Sequence, residues 1–336
     1  MPADSKTIAP RRIRTHRDRA IVALSGGVPD FVPTFELVFH ETERDFEGRT
    51  FFGTAFEPSA AGMSYSDIVK FNARLYVDIA RRFQHSIIFV NSNLKHHEPP
   101  GQDPMRACTQ GVMDTIKEIR ALSGDEFLVM CHNDPTFMIP FHNADEFCYP
   151  FFEEPERMHE VARRQLELSF EDCGRLLGAG ADGFILCSDY CTNAGPFFNP
   201  EMFHEFIGVY LKQAVAEFRR QGAWVIKHTD GNIMPILDDL LDAAPHALHS
   251  LDPMAGVDIR EVKRITQGRV ALCGNVHCAW MHTGTPEQIR RSAEYCLRWG
   301  KPGGGYVFCT SNCVFRGMPL HSYDLIHELW LQHRQY

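Results

Sequence analysis

Short apolar runs alternate with amphipathic segments along nearly the whole chain, and this order limits the fold more than any other feature of the sequence. The runs have the length and the β-branched residues of buried strands. The segments between them carry apolar residues at three- and four-residue steps, as the buried face of a helix does. Because parallel strands need a crossover segment between them, the alternation predicts a parallel sheet or barrel.

The apolar runs predict eight strands, at Val32–Val38, Ser86–Asn91, Glu126–Cys131, Gly183–Ser188, Trp224–His228, Ala247–Leu251, Val270–Gly274 and Tyr306–Thr310. The amphipathic segments predict helices at Tyr65–Phe83, Pro104–Leu122, Glu154–Leu177, Pro200–Arg220, Pro235–Ala243, Asp258–Thr266, Pro286–Trp299 and Tyr323–His333. Eight strand–helix pairs predict one (β/α)8 TIM barrel of residues 21–336, preceded by a loose N-terminal arm of residues 1–20. Two Rossmann-like halves are disfavoured, because no GxGxxG follows the first strand.

The chain is longer than a minimal barrel. Its 336 residues exceed the roughly 250 that a typical barrel needs. We assign the excess to the arm and to two insertions on the active face, Phe39–Ser64 after the first strand and Pro135–Phe152 after the third.

The charge and the cysteine content exclude several classes of protein. The formal net charge is −9, and no basic stripe follows the arginines between Arg11 and Arg19, so nucleic acid and anionic membrane are not expected partners. The sequence has neither a signal-peptide pattern nor an apolar run of about 18 residues, which favours a soluble, cytoplasmic protein. The 11 cysteines form no CxxC pair, so we expect reduced thiols, mostly in the core.

Polar side chains end seven of the eight predicted strands, where the active site of a TIM barrel lies. They are Glu36; His132, Asn133 and Asp134; Asp189, Tyr190, Thr192 and Asn193; His228, Asp230 and Asn232; Asp252; Asn275, His277 and Cys278; and Cys309, Ser311, Asn312 and Cys313. Any one of these groups could merely cap a helix or form a turn. Together they exceed what capping needs and predict an enzyme, with substrate-binding residues at His132, Asn133, Tyr190, Asn275 and Asn312.

Two spacings suit a metal site. His228 and Asp230 alternate like strand residues, so both side chains can leave the same face of a strand and converge on one ion or proton. Cys309, Ser311 and Cys313 share a face in the same way if the extended conformation continues that far. A three-ligand zinc site with His228, Asp230 and Cys313 is therefore one prediction and a metal-free site is the other, because HxD and CxxxC are common strings.

Five segments together resemble the uroporphyrinogen decarboxylase superfamily, and more closely its corrinoid-dependent methyltransferase branch. They are Ser188–Phe203 (SDYCTNAGPFFNPEMF), Lys227–Ile233 (KHTDGNI), Ser250–Gly256 (SLDPMAG), Val270–Asn275 (VALCGN) and Pro302–Asn312 (PGGGYVFCTSN). The resemblance runs from Phe31 to the C-terminus and implies a TIM barrel.

The sequence departs from two groups of this superfamily. The decarboxylases carry an RQAGR-type arginine motif that grips the carboxylates of the substrate, whereas this chain has Glu36–His40 (ELVFH) after its first strand. An acid there disfavours a polycarboxylate substrate. The methyltransferases that methylate thiols hold zinc with His-x-Cys and a second Cys; here Asp230 and Asn312 stand at those cysteine positions, and Cys313 lies one residue later. These changes imply a harder, oxygen-rich site or none.

The chain resembles the remaining branch of the superfamily, the methyltransferases of O-demethylase systems. These enzymes move a methyl group from a methoxylated aromatic compound to the cobalt of a separate corrinoid protein. This resemblance implies cobalamin carried by a partner protein, because the sequence has no DxHxxG motif. Displacement by Co(I) releases a phenolate with an unperturbed pKa of about 10, so a proton donor should lower the barrier. Asp230, Asp189 and Glu36 are the candidate donors, with His228 as their partner or as a metal ligand.

Three other functions are alternatives to O-demethylation. One is methyl transfer from a methylcorrinoid protein to a folate or a thiol, and another is decarboxylation. The third is a non-catalytic chaperone for a corrinoid protein, which the crowded polar strand ends disfavour. A homodimer is compatible with all of them.

Overall fold

The structure, a computed structural model, describes residues 13–39, 51, 62–91, 110–140, 143–315 and 317–336. Four predictions lie partly outside these residues. They are the N-terminal arm, the insertions at Phe39–Ser64 and Pro135–Phe152, and the start of the helix at Pro104–Leu122.

Nine strands occur in the described residues, and seven of them form one parallel sheet. They are β1 (Ile87–Val90), β2 (Leu128–His132), β3 (Gly183–Leu186), β4 (Cys191–Thr192), β5 (Gly195–Pro196), β6 (Trp224–Thr229), β7 (Ala247–Ser250), β8 (Ala271–Cys273) and β9 (Tyr306–Val307). The sheet order is β1-β2-β3-β6-β7-β8-β9, and β4 and β5 form a separate antiparallel pair. The predicted parallel order is therefore confirmed, and the carboxyl ends of the seven strands lie at one edge.

The predicted first strand, Val32–Val38, is not a continuous strand. Thr34 and Phe39 form isolated parallel bridges with Phe308 and Val314. On the other side, the Ser86 amide donates to the Thr34 carbonyl at 2.6 Å. The segment thus contacts the residue just before β1 and the chain after β9. Pro33 lacks an N–H, which interrupts regular pairing. A curled seven-stranded sheet with a bridging segment takes the place of the eight strands predicted.

Most of the helices lie in the crossovers between the strands, while the first two precede β1 and the last follows β9. The helices are α1 (His16–Leu24), α2 (Tyr65–Arg82), α3 (Gln110–Ser123), α4 (Ala144–Glu153), α5 (Pro155–Gly178), α6 (Pro200–Phe203), α7 (Val209–Arg220), α8 (Leu237–Asp242), α9 (Ile259–Thr266), α10 (Cys278–Thr283), α11 (Pro286–Gly300) and α12 (Leu320–His333). A π-helical turn at His204–Gly208 joins α6 and α7 within the helix predicted at Pro200–Arg220. No helix in the described ranges combines the length and the apolar character needed to cross a membrane.

Two helices correct the predictions. The segment expected to be a loose arm up to residue 20 already contains α1, which begins with a capping box between Thr15 and Asp18. The segment expected to be a loop at Pro135–Phe152 contains α4. Its internal Pro150 and its run of aromatic residues hide the usual helical signal.

The core has two layers because the strands are buried on both faces, as a sheet covered by helices requires. Inward side chains such as Phe89, Met130 and Ile226 form one cluster with Ala20 and Leu24 of α1. The opposite faces of the strands pack against the outer helices in a second cluster. Helix α1 therefore packs into the inner cluster, and the amide of Arg17 donates to the Glu126 carbonyl just before β2.

Removing the Asp182 carboxylate should destabilise the end of the sheet that α1 covers. Its Oδ1 lies 2.7 Å from the Arg17 guanidinium, Oδ2 accepts a hydrogen bond from Arg120, and the Val129 amide donates to Oδ2 at 2.9 Å. We expect Asp182→Ala to lower the free energy of unfolding by about 3 kcal/mol, measured by urea titration, because it leaves two half-buried cations unpaired. Glu261→Ala, which breaks the exposed pair with Arg264, is the control and should change stability little; equal effects would contradict the role of Asp182.

Candidate active site

Three predicted site residues meet where β3 and β6 end. His228 lies within β6, Asp230 follows β6, and Asp189 follows β3 by three residues. The His228 Nε2 is 3.7 Å from Asp189 Oδ1 and 3.8 Å from Asp230 Oδ1. Among the residues that the structure describes, this is the group of His, Cys, Asp and Glu whose ligand atoms, all within 4.8 Å of one another, could hold one ion. We call it the Asp189–His228–Asp230 group.

Hydrogen bonds fix the Asp230 carboxylate on both oxygens. The Ser250 hydroxyl donates to Oδ1 at 2.7 Å, and the Asn312 amide donates to Oδ2. Burial raises the pKa of Asp230 above its ordinary value; the proximity of His228 opposes this rise, and the charge of Asp189 adds to it. Asp230 is therefore a rigidly held carboxyl whose proton is retained to a higher pH than that of an exposed aspartate.

The loops that carry the two aspartates are tied to each other. The Asp230 amide donates to Asp189 Oδ1 at 2.9 Å, and the Tyr190 amide donates to the Thr229 hydroxyl at 3.0 Å. Gly231 has a φ of +82°, and a Cβ there would lie 2.6 Å from the Thr192 carbonyl oxygen. Only glycine lets the chain pass this close to the β4–β5 pair.

A buried ion pair lies directly behind the site. The Lys227 Nζ is 2.8 Å from Asp134 Oδ2, and neither side chain has exposed area. Lys227 also donates to the Ser188 carbonyl at 2.9 Å, and the Ser188 amide donates to Asp134 Oδ2 at 2.9 Å. Burial alone would raise the pKa of Asp134, but the charge and hydrogen bonds around it hold that pKa well below its usual range. This pair connects the ends of β2, β3 and β6.

His249 is a member of the site that sequence reasoning missed. It pairs with His228 in the register of β6 and β7, and the two Nδ1 atoms are 2.7 Å apart. Its side chain is buried, and burial lowers the pKa of His249 well below its usual value. Parallel pairing of the two apolar runs, each with a histidine near its end, is the signal that could have found it.

Of the five predicted substrate-binding residues, only Asn312 contacts the Asp189–His228–Asp230 group. Both ends of the buried Asn133 amide are bound to Ser169 of α5, at 3.0 and 2.8 Å. The Tyr190 hydroxyl lies 2.5 Å from the Thr136 hydroxyl. These hydrogen bonds join the chain after β2 to α5 and to the chain after β3.

The remaining two substrate-binding predictions lie at other strand ends. His132 is half-buried at the end of β2, and burial lowers its pKa. The Asn275 amide donates to the Leu251 carbonyl at 2.6 Å, and the side chain lines a cleft of about 370 Å³ between α9, α10 and α11.

Glu36 is buried behind the site and is not part of the three-residue group. The Thr310 amide and hydroxyl donate to its carboxyl at 3.2 and 2.5 Å, and Tyr323, whose hydroxyl is 2.9 Å from His85 Nε2, also bonds to it. Burial raises the pKa of Glu36 to about 8. Because the Thr310 hydroxyl also bonds the carbonyl of Asn312 at 3.2 Å, Glu36 supports the segment that holds Asp230.

The cysteines predicted near the metal are not members of the Asp189–His228–Asp230 group. Strand β9 ends at Val307, so the extended conformation needed to align Cys309 with Cys313 stops early. Cys309 is fully buried in the inner cluster. The Cys313 thiol donates to Asn312 Oδ1 at 2.9 Å. Asp189 thus occupies the third position that the sequence assigned to Cys313.

Comparisons with known proteins agree with this architecture. Residues 93–329 match the family profile described as uroporphyrinogen decarboxylase (URO-D), which covers more than half of the chain. Comparison with curated protein sequences finds no match.

Among solved structures, the chain is similar to a methyltransferase from Methanosarcina mazei, with a TM-score of 0.73 and 16% identity over 95% of this chain and 99% of that one. Lower similarities are to ZgEngAGH5_4 in complex with a cellotriose (TM-score 0.48, 12% identity, 96% and 99% covered) and to uronate isomerase from Thermotoga maritima (TM-score 0.45, 11% identity, 94% and 90% covered). The first similarity confirms a TIM-barrel-like α/β fold, and the profile match confirms the resemblance to the uroporphyrinogen decarboxylase superfamily. The chain belongs to the uroporphyrinogen decarboxylase family.

Proposed function

We propose that this protein is a corrinoid-dependent methyltransferase that moves a methyl group from a methoxylated aromatic compound to the cobalt of a corrinoid protein. The observation that carries the proposal is the Asp189–His228–Asp230 group at the ends of β3 and β6. The fold similarity to the methyltransferase from Methanosarcina mazei supports the class of reaction. The methoxylated aromatic substrate and the direction of transfer follow from the resemblance of the sequence to the methyltransferases of O-demethylase systems.

Ether cleavage needs a proton at the leaving oxygen. When Co(I) takes the methyl group, the electron pair of the broken C–O bond stays on oxygen, and a proton must reach the resulting phenolate. Asp230 is suited to supply it because burial raises its pKa and because Ser250 and Asn312 fix its position. Asp230 is left as a carboxylate and takes up a proton from water before the next turnover, since 26% of its side chain is exposed.

The same three side chains fit a divalent cation. Ligands about 2.1 Å from a tetrahedral ion lie about 3.4 Å from one another, close to the 3.7 and 3.8 Å from His228 Nε2 to the two carboxylates. Two carboxylates and one imidazole favour a harder ion than a thiolate site does, and zinc, manganese and magnesium are the candidates. A bound cation would replace the proton of Asp230, and it would then take the place of proton donation by polarising the ether oxygen as a Lewis acid.

The corrinoid is assigned to a partner protein. The sequence contains no DxHxxG motif in its 336 residues. We therefore propose that the partner brings cobalamin to the strand ends that carry Asp189 and Asp230, where the aromatic ether would also bind.

Two alternative activities fit the described residues less well. A polycarboxylate substrate for decarboxylation would need a basic clamp, and the first-strand segment offers the buried Glu36 instead. A thiol acceptor would favour thiolate ligands of the His-x-Cys pattern. In this chain Asp230 stands at the cysteine position of that pattern, and the Asn312 amide donates a hydrogen bond to the Asp230 carboxylate.

We expect Asp230→Asn to lower the rate of methyl transfer at least about 100-fold, because an amide cannot supply the proton. The measurement is single-turnover absorbance of a cob(I)alamin-loaded carrier mixed with the protein and a vanillate-type methyl ether. Asp258→Asn, a change at the exposed cap of α9, is the matched control and should leave the rate unchanged. Full activity in both Asp230→Asn and His228→Ala, or release of carbon dioxide with the methyl ether intact, would overturn the proposal.

A further inference from the structure

We propose that His249 is a positioning residue that fixes which ring nitrogen of His228 carries a proton, and that it thereby sets the affinity of the Asp189–His228–Asp230 group for a divalent cation. The inference rests on the metal-binding part of the proposed function. It concerns ligand affinity, which is measured independently of methyl transfer.

The contact between the two imidazoles permits one proton between them. The Nδ1 atoms of His228 and His249 are 2.7 Å apart, and the ring centroids are 4.9 Å apart with an interplanar angle of 37°. Two N–H groups cannot point at each other over that distance, and two lone pairs would repel. One Nδ1 therefore donates and the other accepts.

The two arrangements have opposite consequences for the site. If His228 donates from Nδ1, its Nε2 presents a lone pair toward Asp189 and Asp230, which are 3.7 and 3.8 Å away. If His249 donates, the proton of the neutral His228 ring must sit on Nε2, where it blocks metal coordination. Only the first arrangement makes His228 a ligand.

The surroundings of His249 favour the first arrangement. The backbone of Thr310 is a hydrogen-bonding group that interacts with the ring, although no atom in the described residues forms a full hydrogen bond with His249 Nε2. A proton on Nε2 leaves Nδ1 free to accept from His228. The ring is also packed against Phe35, with centroids 5.6 Å apart, and has 1% of its surface exposed, so water cannot compete as the acceptor.

This role is that of the outer-shell partner that orients a metal-binding histidine. Loss of such a partner commonly lowers metal affinity by roughly 10- to 100-fold. We therefore expect His249→Phe, which keeps a ring of similar size but offers no acceptor, to weaken Zn²⁺ and Mn²⁺ binding by about that factor. His249→Gln, whose side-chain oxygen can accept from His228 Nδ1, should bind both ions within a few-fold of the unsubstituted protein.

The experiment is titration calorimetry of the full-length, chelator-treated protein and its variants with Zn²⁺ and, separately, Mn²⁺. Nitrogen-15 NMR of histidine-labelled protein reports the tautomer, and a proton on His228 Nδ1 in the zinc-loaded protein is expected. Thermal unfolding of each metal-free variant checks folding, and if His249→Phe does not fold, the NMR result and His249→Gln decide the matter.

Equal affinities in His249→Phe and the unsubstituted protein would overturn the inference, as would a proton on His228 Nε2 in the zinc-loaded state. Absence of binding by the unsubstituted protein would overturn it together with the metal site. Metal binding with the expected ranking of variants, but no methyl transfer, would support the role of His249 and count against the proposed function alone.

Discussion

Replacing Lys227 with alanine should lower the free energy of unfolding by about 4 kcal/mol, since removing one partner of a buried ion pair typically costs roughly 3–5 kcal/mol. The Lys227 Nζ and Asp134 Oδ2 are 2.8 Å apart, and both side chains are fully buried. Without the ammonium group, the Asp134 carboxylate would remain in a low-dielectric interior with no opposite charge. Urea unfolding monitored by fluorescence and circular dichroism measures the loss.

A matched pair of variants separates the ion pair from simple packing. Lys227→Met combined with Asp134→Asn removes both charges and should recover most of the stability that Lys227→Ala loses. Lys212→Ala breaks a surface pair with Asp242 whose side chains are 58% and 64% exposed, and it should have little effect. If Lys227→Ala unfolds at the same urea concentration as the unsubstituted protein, the pair does not hold the strand ends together.

The position of this pair links stability to the site. Lys227 precedes His228 and also donates to the carbonyl of Ser188, the residue before Asp189. The backbone next to Asp189 and the backbone next to His228 are therefore both held in place by Lys227. A catalytic group displaced by even about 1 Å loses much of its rate advantage, so we expect Lys227→Ala to lower methyl transfer as well as stability.

The parts of the fold that follow from local sequence were predictable. The runs at Trp224–His228 and Ala247–Leu251 differ from β6 and β7 by no more than one residue at an end. Their short, largely apolar composition is a local property. The first strand was not predictable in this way, because Val32–Val38 reads as a strand until Pro33 and its two neighbours in space determine which hydrogen bonds it can form.

In the site, too, the features set by local sequence were predictable and those set by tertiary contacts were not. Alternation along one strand correctly indicated that His228 and Asp230 could converge, since both lie at the end of β6. The third member depends on tertiary structure: Cys313 shared the expected alternation, but the strand ended at Val307 and its thiol bonds Asn312. His249 was hidden within an apolar run, where a histidine is most simply read as part of the core.

Burial of Glu36 should make the stability of the protein fall as the pH rises through the neutral range. Its pKa is about 8 in the folded protein, against 4.5 as the ordinary value. The folded state therefore holds one more proton than the unfolded chain between these values, so the stabilisation is complete below about pH 4.5 and is lost as the pH rises through about 8. One pKa unit corresponds to about 1.4 kcal/mol, which gives an upper limit of roughly 5 kcal/mol for the full change.

Glu36→Gln isolates this contribution because glutamine resembles the protonated acid and cannot ionise. Its side-chain oxygen can still accept from the Thr310 amide, which donates to Glu36 at 3.2 Å. We expect the two proteins to unfold at similar urea concentrations at pH 5, and the variant to be more stable by several kcal/mol at pH 8.5. Glu36→Ala should be less stable than Glu36→Gln at both pH values, because the amide and hydroxyl of Thr310 lose their buried acceptor. A constant stability difference between Glu36→Gln and the unsubstituted protein from pH 5 to pH 8.5 would show that Glu36 is ionised throughout, and that its charge is stabilised by groups beyond Thr310 and Tyr323.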